Sequence, residues 1–129
     1  VPDASAQTAT PSLPSASSAA PALSVRLVPL LGGNPIVIHE PTVVGRDPRN
    51  ISAYPQAQRA SIFDPSRSVS KTHALFVPAS DGVLVTDLGS TNGTHIEDEE
   101  GVHRLSPGRP EYVHRGRQAY LGDGVCIVR

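Results

Sequence analysis

The chain has 129 residues, 38% hydrophobic and 18% charged, with a formal net charge of −1. That length fits one domain with its own core, and the near-zero balance excludes a global field that would drive the chain onto nucleic acid or an anionic membrane. Aromatic residues make up only 4% and Trp is absent, so there is little to stack on bases.

Residues 1–23 are nearly all Ala, Ser, Pro and Thr. They cannot bury enough apolar surface to offset the entropy of ordering, so this stretch reads as a disordered linker, expected to tether the domain at 24–129 to a region upstream. From Ser24 the pattern changes to short β-type runs broken by Gly, Pro and Asn. The first run is 24–31, with Val25 and Leu27 on one face, and Gly32-Gly33-Asn34 is a turn. Runs at 35–39 and 42–44 follow, the second ending at Gly45-Arg46. Residues 47–60 form a long polar segment, read as a surface loop with room for an extra turn or a small helix, and 61–63 is a short strand. Further runs fall at 73–78, 83–88, 94–96, 102–105, 111–113, 118–121 and 125–128, with Asp81-Gly82 turning the first of these into the second. No stretch sustains a 3.6-residue period with caps, so the class is all-β, a sandwich or a barrel of mostly antiparallel strands. Cys126, the lone cysteine, sits in the apolar run Val125-Cys126-Ile127-Val128 and reads as a buried, inert thiol. A chain without a possible internal disulfide suits a reducing compartment, and a cytoplasmic setting is expected. No apolar run has the length of a membrane-spanning helix.

Three polar clusters fall at strand ends, where loops display side chains: Gly45-Arg46, Ser70-Lys71-Thr72-His73, and Gly89-Ser90-Thr91-Asn92-Gly93-Thr94. In that order they resemble the forkhead-associated (FHA) family, which carries Gly-Arg after an early strand, then Ser-x-x-His, then a Gly-Ser-x-Asn-Gly-Thr stretch. Gly-Arg alone is worthless as evidence and Ser-x-x-His alone is weak; the three in sequence are specific. Ile62-Phe63-Asp64-Pro65-Ser66, Leu105-Ser106-Pro107-Gly108 and Leu121-Gly122-Asp123-Gly124 agree with the same pattern, so the resemblance covers about residues 24–129. The single Lys and the Ala, Pro and Gly content fit a GC-rich, actinobacterial-like bacterial genome.

The resemblance implies an FHA-type β-sandwich of about eleven mostly antiparallel strands. It also implies a phosphothreonine-binding module that docks proteins phosphorylated by a Ser/Thr kinase. The chemistry agrees. A phosphoryl group carries about −1.5 to −2 charge and three strong acceptor oxygens. The rigid fork of a guanidinium answers it, so Arg46 is the principal anchor. The Ser70 hydroxyl adds a short charge-assisted bond, Lys71 a point charge, and Thr91 a hydroxyl or a backbone N–H. FHA domains are among the modules that read phosphorylated motifs through arginine. By the resemblance, Asn92 bonds the ligand backbone beside the phosphothreonine and His73 braces the binding loops, while the extra methyl of threonine finds a small niche. Asn92-Gly93 is also a hairpin-turn signal, and Gly45, Gly89 and Gly93 are read as backbone geometry. Local charge fits this site: from Arg46 to His73 five cations face two carboxylates, whereas 81–100 holds six carboxylates and no Lys or Arg.

Two departures from the family pattern stand out. The loop 47–60 is long, and Arg117 follows Gly116 where the family often has Asp, which should affect only a local turn. Thr8 and Thr10 give the linker two phosphorylatable sites and so a possible intramolecular ligand. The competing reading is an FHA-fold scaffold that binds an unphosphorylated partner within a larger, membrane-associated protein. An enzyme is not expected, because no nucleophile elbow, P-loop or paired catalytic signature occurs. No cofactor or metal is expected either: the five His lack zinc-ligand spacing, and Glu97–Glu100 reads as a solvated charge run.

Overall fold

The computed structural model describes residues 24–129; the linker reading, with Thr8 and Thr10, lies outside the described residues. Eleven strands form: β1 (Val25–Pro29), β2 (Ile36–Ile38), β3 (Thr42–Gly45), β4 (Gln58–Ser61), β5 (Ala74–Ala79), β6 (Gly82–Asp87), β7 (Thr94–Asp98), β8 (Gly101–Arg104), β9 (Glu111–His114), β10 (Gln118–Leu121) and β11 (Gly124–Val128). They make two sheets, a six-stranded one ordered β2-β1-β11-β10-β7-β8 and a five-stranded one ordered β4-β3-β5-β6-β9. No helix occurs among the described residues.

The period of two explains why these runs are strands. On β1, Val25 and Leu27 are buried and Arg26 between them is exposed; on β2, Ile36 and Ile38 are buried and Val37 is exposed. β11 alternates in the same way, with Gly124, Cys126 and Val128 inward. The inward faces meet in one core that includes Leu27, Ile38, Val44, Phe76, Val85, Ile96, Leu121 and Cys126. Burial raises the Cys126 thiol pKa to about 11, so it packs as a small hydrophobe.

Most of the predicted strands form where the alternation placed them, and the region after Arg46 differs. The strand expected at 61–63 is instead β4, Gln58–Ser61, running parallel to β3 with Thr42 opposite Gln58 and Gly45 opposite Ser61. Its residues Gln58, Arg59, Ala60 and Ser61 carry no strong apolar alternation, so the period-two signal is absent. β4 forms because it completes an edge beside β3, not because of its own side chains. The long loop before it contains turns and an isolated bridge between Ile51 and Tyr54 rather than a small helix. A second difference concerns Asn92-Gly93. β6 and β7 belong to different sheets, so this pair turns a crossover between the sheets and not a hairpin. Gly93 has φ +84, which the left-handed conformation of the crossover requires.

Both differences concentrate connections at one end of the sandwich. The β3–β4, β4–β5, β6–β7 and β10–β11 connections meet there, tied by Ile62 N–H to Gly45 O (2.8 Å), His73 N–H to Val44 O (3.0 Å) and Gly122 N–H to Gly93 O (3.1 Å). Phe76, fully buried at the centre of β5, tests the core. Phe76→Ala is expected to destabilise the domain by about 3–5 kcal/mol in urea unfolding, the usual range for removing a buried aromatic.

Candidate functional site

Gly45 ends β3 in a position no side chain can share. A Cβ there would lie 2.0 Å from the Lys71 carbonyl oxygen and 2.8 Å from that of Ser70. The close approach lets two backbone bonds form, Arg46 N–H to Ser70 O and Asp47 N–H to Lys71 O, both 3.1 Å. The Arg46 side chain then turns back and donates from Nε to Val69 O at 2.7 Å. This fixes the guanidinium beside Ser70 and leaves its two terminal nitrogens without a partner among the described residues.

Ser70 is oriented just as strictly. Its Oγ accepts the Thr91 N–H at 3.0 Å, so the hydroxyl proton stays available to an incoming acceptor. The same bond uses up the Thr91 N–H, which narrows the expected contribution of Thr91 to its hydroxyl. Lys71 is exposed and forms no ion pair among the described residues. Thr72 Oγ1 accepts the Arg49 N–H at 3.0 Å, drawing the start of the 47–57 loop onto the cluster. Asn92 donates from Nδ2 to Ser68 O at 2.7 Å, which leaves its carbonyl oxygen and second amide proton outward. The structure thus brings Arg46, Ser70, Lys71, Thr91 and Asn92 to one loop surface, with Gly45, His73, Gly89 and Gly93 in the supporting backbone.

His73 is fully buried beneath this surface. Its Nδ1 accepts the Ser70 N–H at 2.9 Å. That assigns the proton to Nε2, which donates to Gly93 O at 2.9 Å. Burial lowers its pKa below the usual histidine value, against the opposing pull of the Gly93 carbonyl, Asp87 and Asp64.

Several positioning residues are not singled out from the sequence as site residues. Asp87, at the end of β6, accepts Gly89 N–H (3.1 Å) and Ser90 N–H (3.2 Å) on Oδ2. Its Oδ1 accepts the Ser90 and Thr94 hydroxyls. Burial pushes its pKa up, but these donors together hold it below the ordinary carboxylate value. Asp64 does the same for the loop below Ser70, accepting Val69 N–H at 2.7 Å and the Ser66 hydroxyl at 2.6 Å. The Asp64-Pro65-Ser66 order was the available clue, since Asp side chains close turns on residues just ahead. Ser68 joins the third and fourth loops: its carbonyl takes Asn92 and its Oγ accepts Asp123 N–H at 2.8 Å.

The fold and these loops define a β-sandwich that presents guanidinium, ammonium, hydroxyl and amide groups together at one end. The FHA domain family model matches residues 42–121, and the chain belongs to the FHA family, whose members are binding modules. A solved structure from a study of phosphothreonine-dependent FHA domain interactions is 27% identical, with TM-score 0.56 over 82% of this chain and 95% of that one. The FHA domain of FhaA, solved with the intracellular domain of another protein, is 25% identical, with TM-score 0.57 over 82% and 100%. The FHA domain of human APLF, solved with an XRCC1 bisphospho peptide, shares the fold at 19% identity and TM-score 0.60 over 81% and 96%. No curated protein matches significantly in sequence.

Two outcomes are expected from this geometry. Gly45→Ala should push the end of β3 away from the Ser70-Lys71 loop and abolish ligand binding while leaving secondary structure by circular dichroism largely intact. Stability should also fall with acid. A buried His73 with a lowered pKa contributes stability that is present above the unfolded value near 6.5 and lost as pH falls through the folded value. His103, whose pKa is raised by its hydrogen bond to Glu111, acts oppositely: its contribution is present below 6.5 and lost as pH rises through the folded value. Urea unfolding between pH 7.5 and 5 should therefore show a smaller loss toward acid in His73→Gln than in the parent; an equal loss would assign the acid sensitivity elsewhere.

Proposed function

We propose that this domain is a phosphothreonine-dependent docking module that recruits proteins phosphorylated by a Ser/Thr kinase, and that it works in the cytoplasm. The observation that carries the reading is the joint fixing of Arg46 and Ser70. Arg46 Nε is held by Val69 O at 2.7 Å, and the adjacent Ser70 hydroxyl is oriented by Thr91 N–H at 3.0 Å. Donors fixed before the ligand arrives lose little entropy on binding.

In this reading the terminal nitrogens of Arg46 take two phosphate oxygens as a fork. The Ser70 hydroxyl donates a short bond to the same group, and Lys71 adds charge from the rim. Thr91 contributes its hydroxyl. The free oxygen and amide proton of Asn92 hold the ligand main chain next to the phosphothreonine. The threonine methyl packs in a small apolar niche, which gives the preference over phosphoserine that family membership implies. Similar structures solved with phosphopeptides or in phosphothreonine-dependent interactions support the choice of ligand.

Net charge-assisted hydrogen bonds contribute about 1.5–3 kcal/mol each. Three or four of them, set against the cost of association, give micromolar affinity, about 8 kcal/mol. Fluorescence anisotropy with a library of phosphothreonine peptides, phosphoserine and unphosphorylated controls tests this. Arg46→Ala is expected to weaken phosphothreonine binding by about 30-fold or more, as losing one partner of a close charge pair does. Partner binding that persists after phosphatase treatment and in Arg46→Ala would instead make the domain a phospho-independent scaffold.

A further inference from the structure

Among the described residues Arg104 lies beside the loops with its guanidinium against Gly93 and unanswered by any side chain. It ends β8, opposite His95 of β7, and the next residue, Leu105, donates its N–H to Thr94 O at 2.8 Å. That puts it at the loop end of the sheet, beside the start of β7 that follows Asn92-Gly93. Its guanidinium lies across Gly93. A Cβ on Gly93 would stand 2.7 Å from Arg104 Nε, 2.9 Å from Cζ and 3.1 Å from one terminal nitrogen. The bare glycine surface is what allows the group to lie there.

Carboxylates are close in sequence and do not reach it. His103, on the opposite face of β8, gathers Asp98 at 3.2 Å and Glu111 at 3.1 Å. Glu97 accepts the Gln118 N–H at 3.1 Å. His95, the cross-strand neighbour of Arg104, brings no negative charge. Among the described residues Arg49 is paired with Asp47 and Arg115 with Asp81, while the Arg104 guanidinium makes neither an ion pair nor a hydrogen bond.

From these contacts we infer that Arg104 reads a second anionic group on the same ligand, a carboxylate or a second phosphate, a few residues from the phosphothreonine. The inference rests on the phosphothreonine reading. Thr91 N–H meets Ser70, and Gly93, two residues on, lies under Arg104. A ligand held at Arg46 and Ser70 and bonded by Asn92 therefore crosses toward this guanidinium. A planar fork suits an oxyanion of either kind, and an exposed pair of this sort contributes modestly, so the effect is a preference within phosphothreonine ligands.

The test is a set of phosphothreonine peptides with Asp, phosphoserine, Gln or Lys placed in turn at each flanking position, titrated at physiological salt. One position should favour Asp or phosphoserine over Gln by about three- to fivefold, the range of an exposed ion pair, and disfavour Lys. Comparing Asp with phosphoserine distinguishes the two sources of the anion. Arg104→Gln should erase that preference without changing affinity for the Gln peptide, whereas Arg26→Gln, which removes the same charge from β1, should leave it intact. Phosphate-dependent binding with no acidic preference, or a preference that survives in Arg104→Gln, overturns this inference alone. Absence of any phosphate-dependent binding overturns the phosphothreonine reading and this inference together.

Discussion

Everything at the loop end hangs on one buried imidazole. His73 makes four hydrogen bonds: its N–H to Val44 O, its carbonyl from Leu88 N–H, Nδ1 from Ser70 N–H and Nε2–H to Gly93 O. These reach the end of β3, the end of β6, its own loop and the crossover into the other sheet. The ring works only as the neutral tautomer with the proton on Nε2. Protonation would turn Nδ1 from acceptor to donor, facing the Ser70 N–H. Burial that disfavours the charged ring is thus the same condition that keeps Ser70 and Gly93 in register. Removing the ring would leave a buried N–H and a buried carbonyl without partners, which costs more than the bonds themselves contribute.

The remaining polar groups divide into those satisfied inside the protein and those left over, and the remainder defines the ligand. Arg46 spends Nε on Val69, Ser70 spends one of its lone pairs on Thr91 N–H, and Asn92 spends one amide proton on Ser68. Each internal bond fixes the orientation of the group that stays outward, and those outward groups are nearly all donors. Such a surface needs no deep cavity. A hollow of about 550 Å3 lies elsewhere, between the β1–β2 turn and β4, lined by residues such as Pro29, Ile36 and Phe63. Volume suits apolar ligands, whereas an oxyanion is held by oriented charge and hydrogen bonds on an open face.

The sequence made the strands legible wherever one face of the strand is buried, because alternation then has to be written into it. Val25, Leu27, Ile36 and Ile38 are examples. It hid β4, an edge strand whose side chains are half-buried or exposed and which is placed by β3. The three motifs announced which residues gather at the loop end, since their residue types are unusual together. They did not announce the accounting of protons. That Thr91 N–H is taken by Ser70 depends on a contact across 21 residues of chain that no local pattern encodes, and that Asp87 closes its loop on Thr94 depends on one across 7; only Asp64, closing on Val69 five residues ahead, left a clue in its turn sequence. Asn92-Gly93 misled for a related reason: the dipeptide demands a left-handed residue, and a crossover between sheets meets that demand as well as a hairpin does.

The net charge of −1 conceals a divided molecule. Strand β7 runs from Thr94, beside the binding loops, to Asp98 at the acidic tip that continues through Glu99 and Glu100. Four residue steps separate these ends by about 13 Å, more than one and a half times the screening length of about 8 Å at physiological ionic strength. The acidic tip therefore cannot cancel the field at the loops, where Arg46, Lys71 and Arg104 stand without carboxylate partners among the described residues. In the proposed reading, an anionic peptide is therefore drawn to the loop end rather than to the acidic tip. His103 holds Asp98 and Glu111 on the far face of β8, so those carboxylates are engaged away from Arg104, which keeps no carboxylate partner among the described residues.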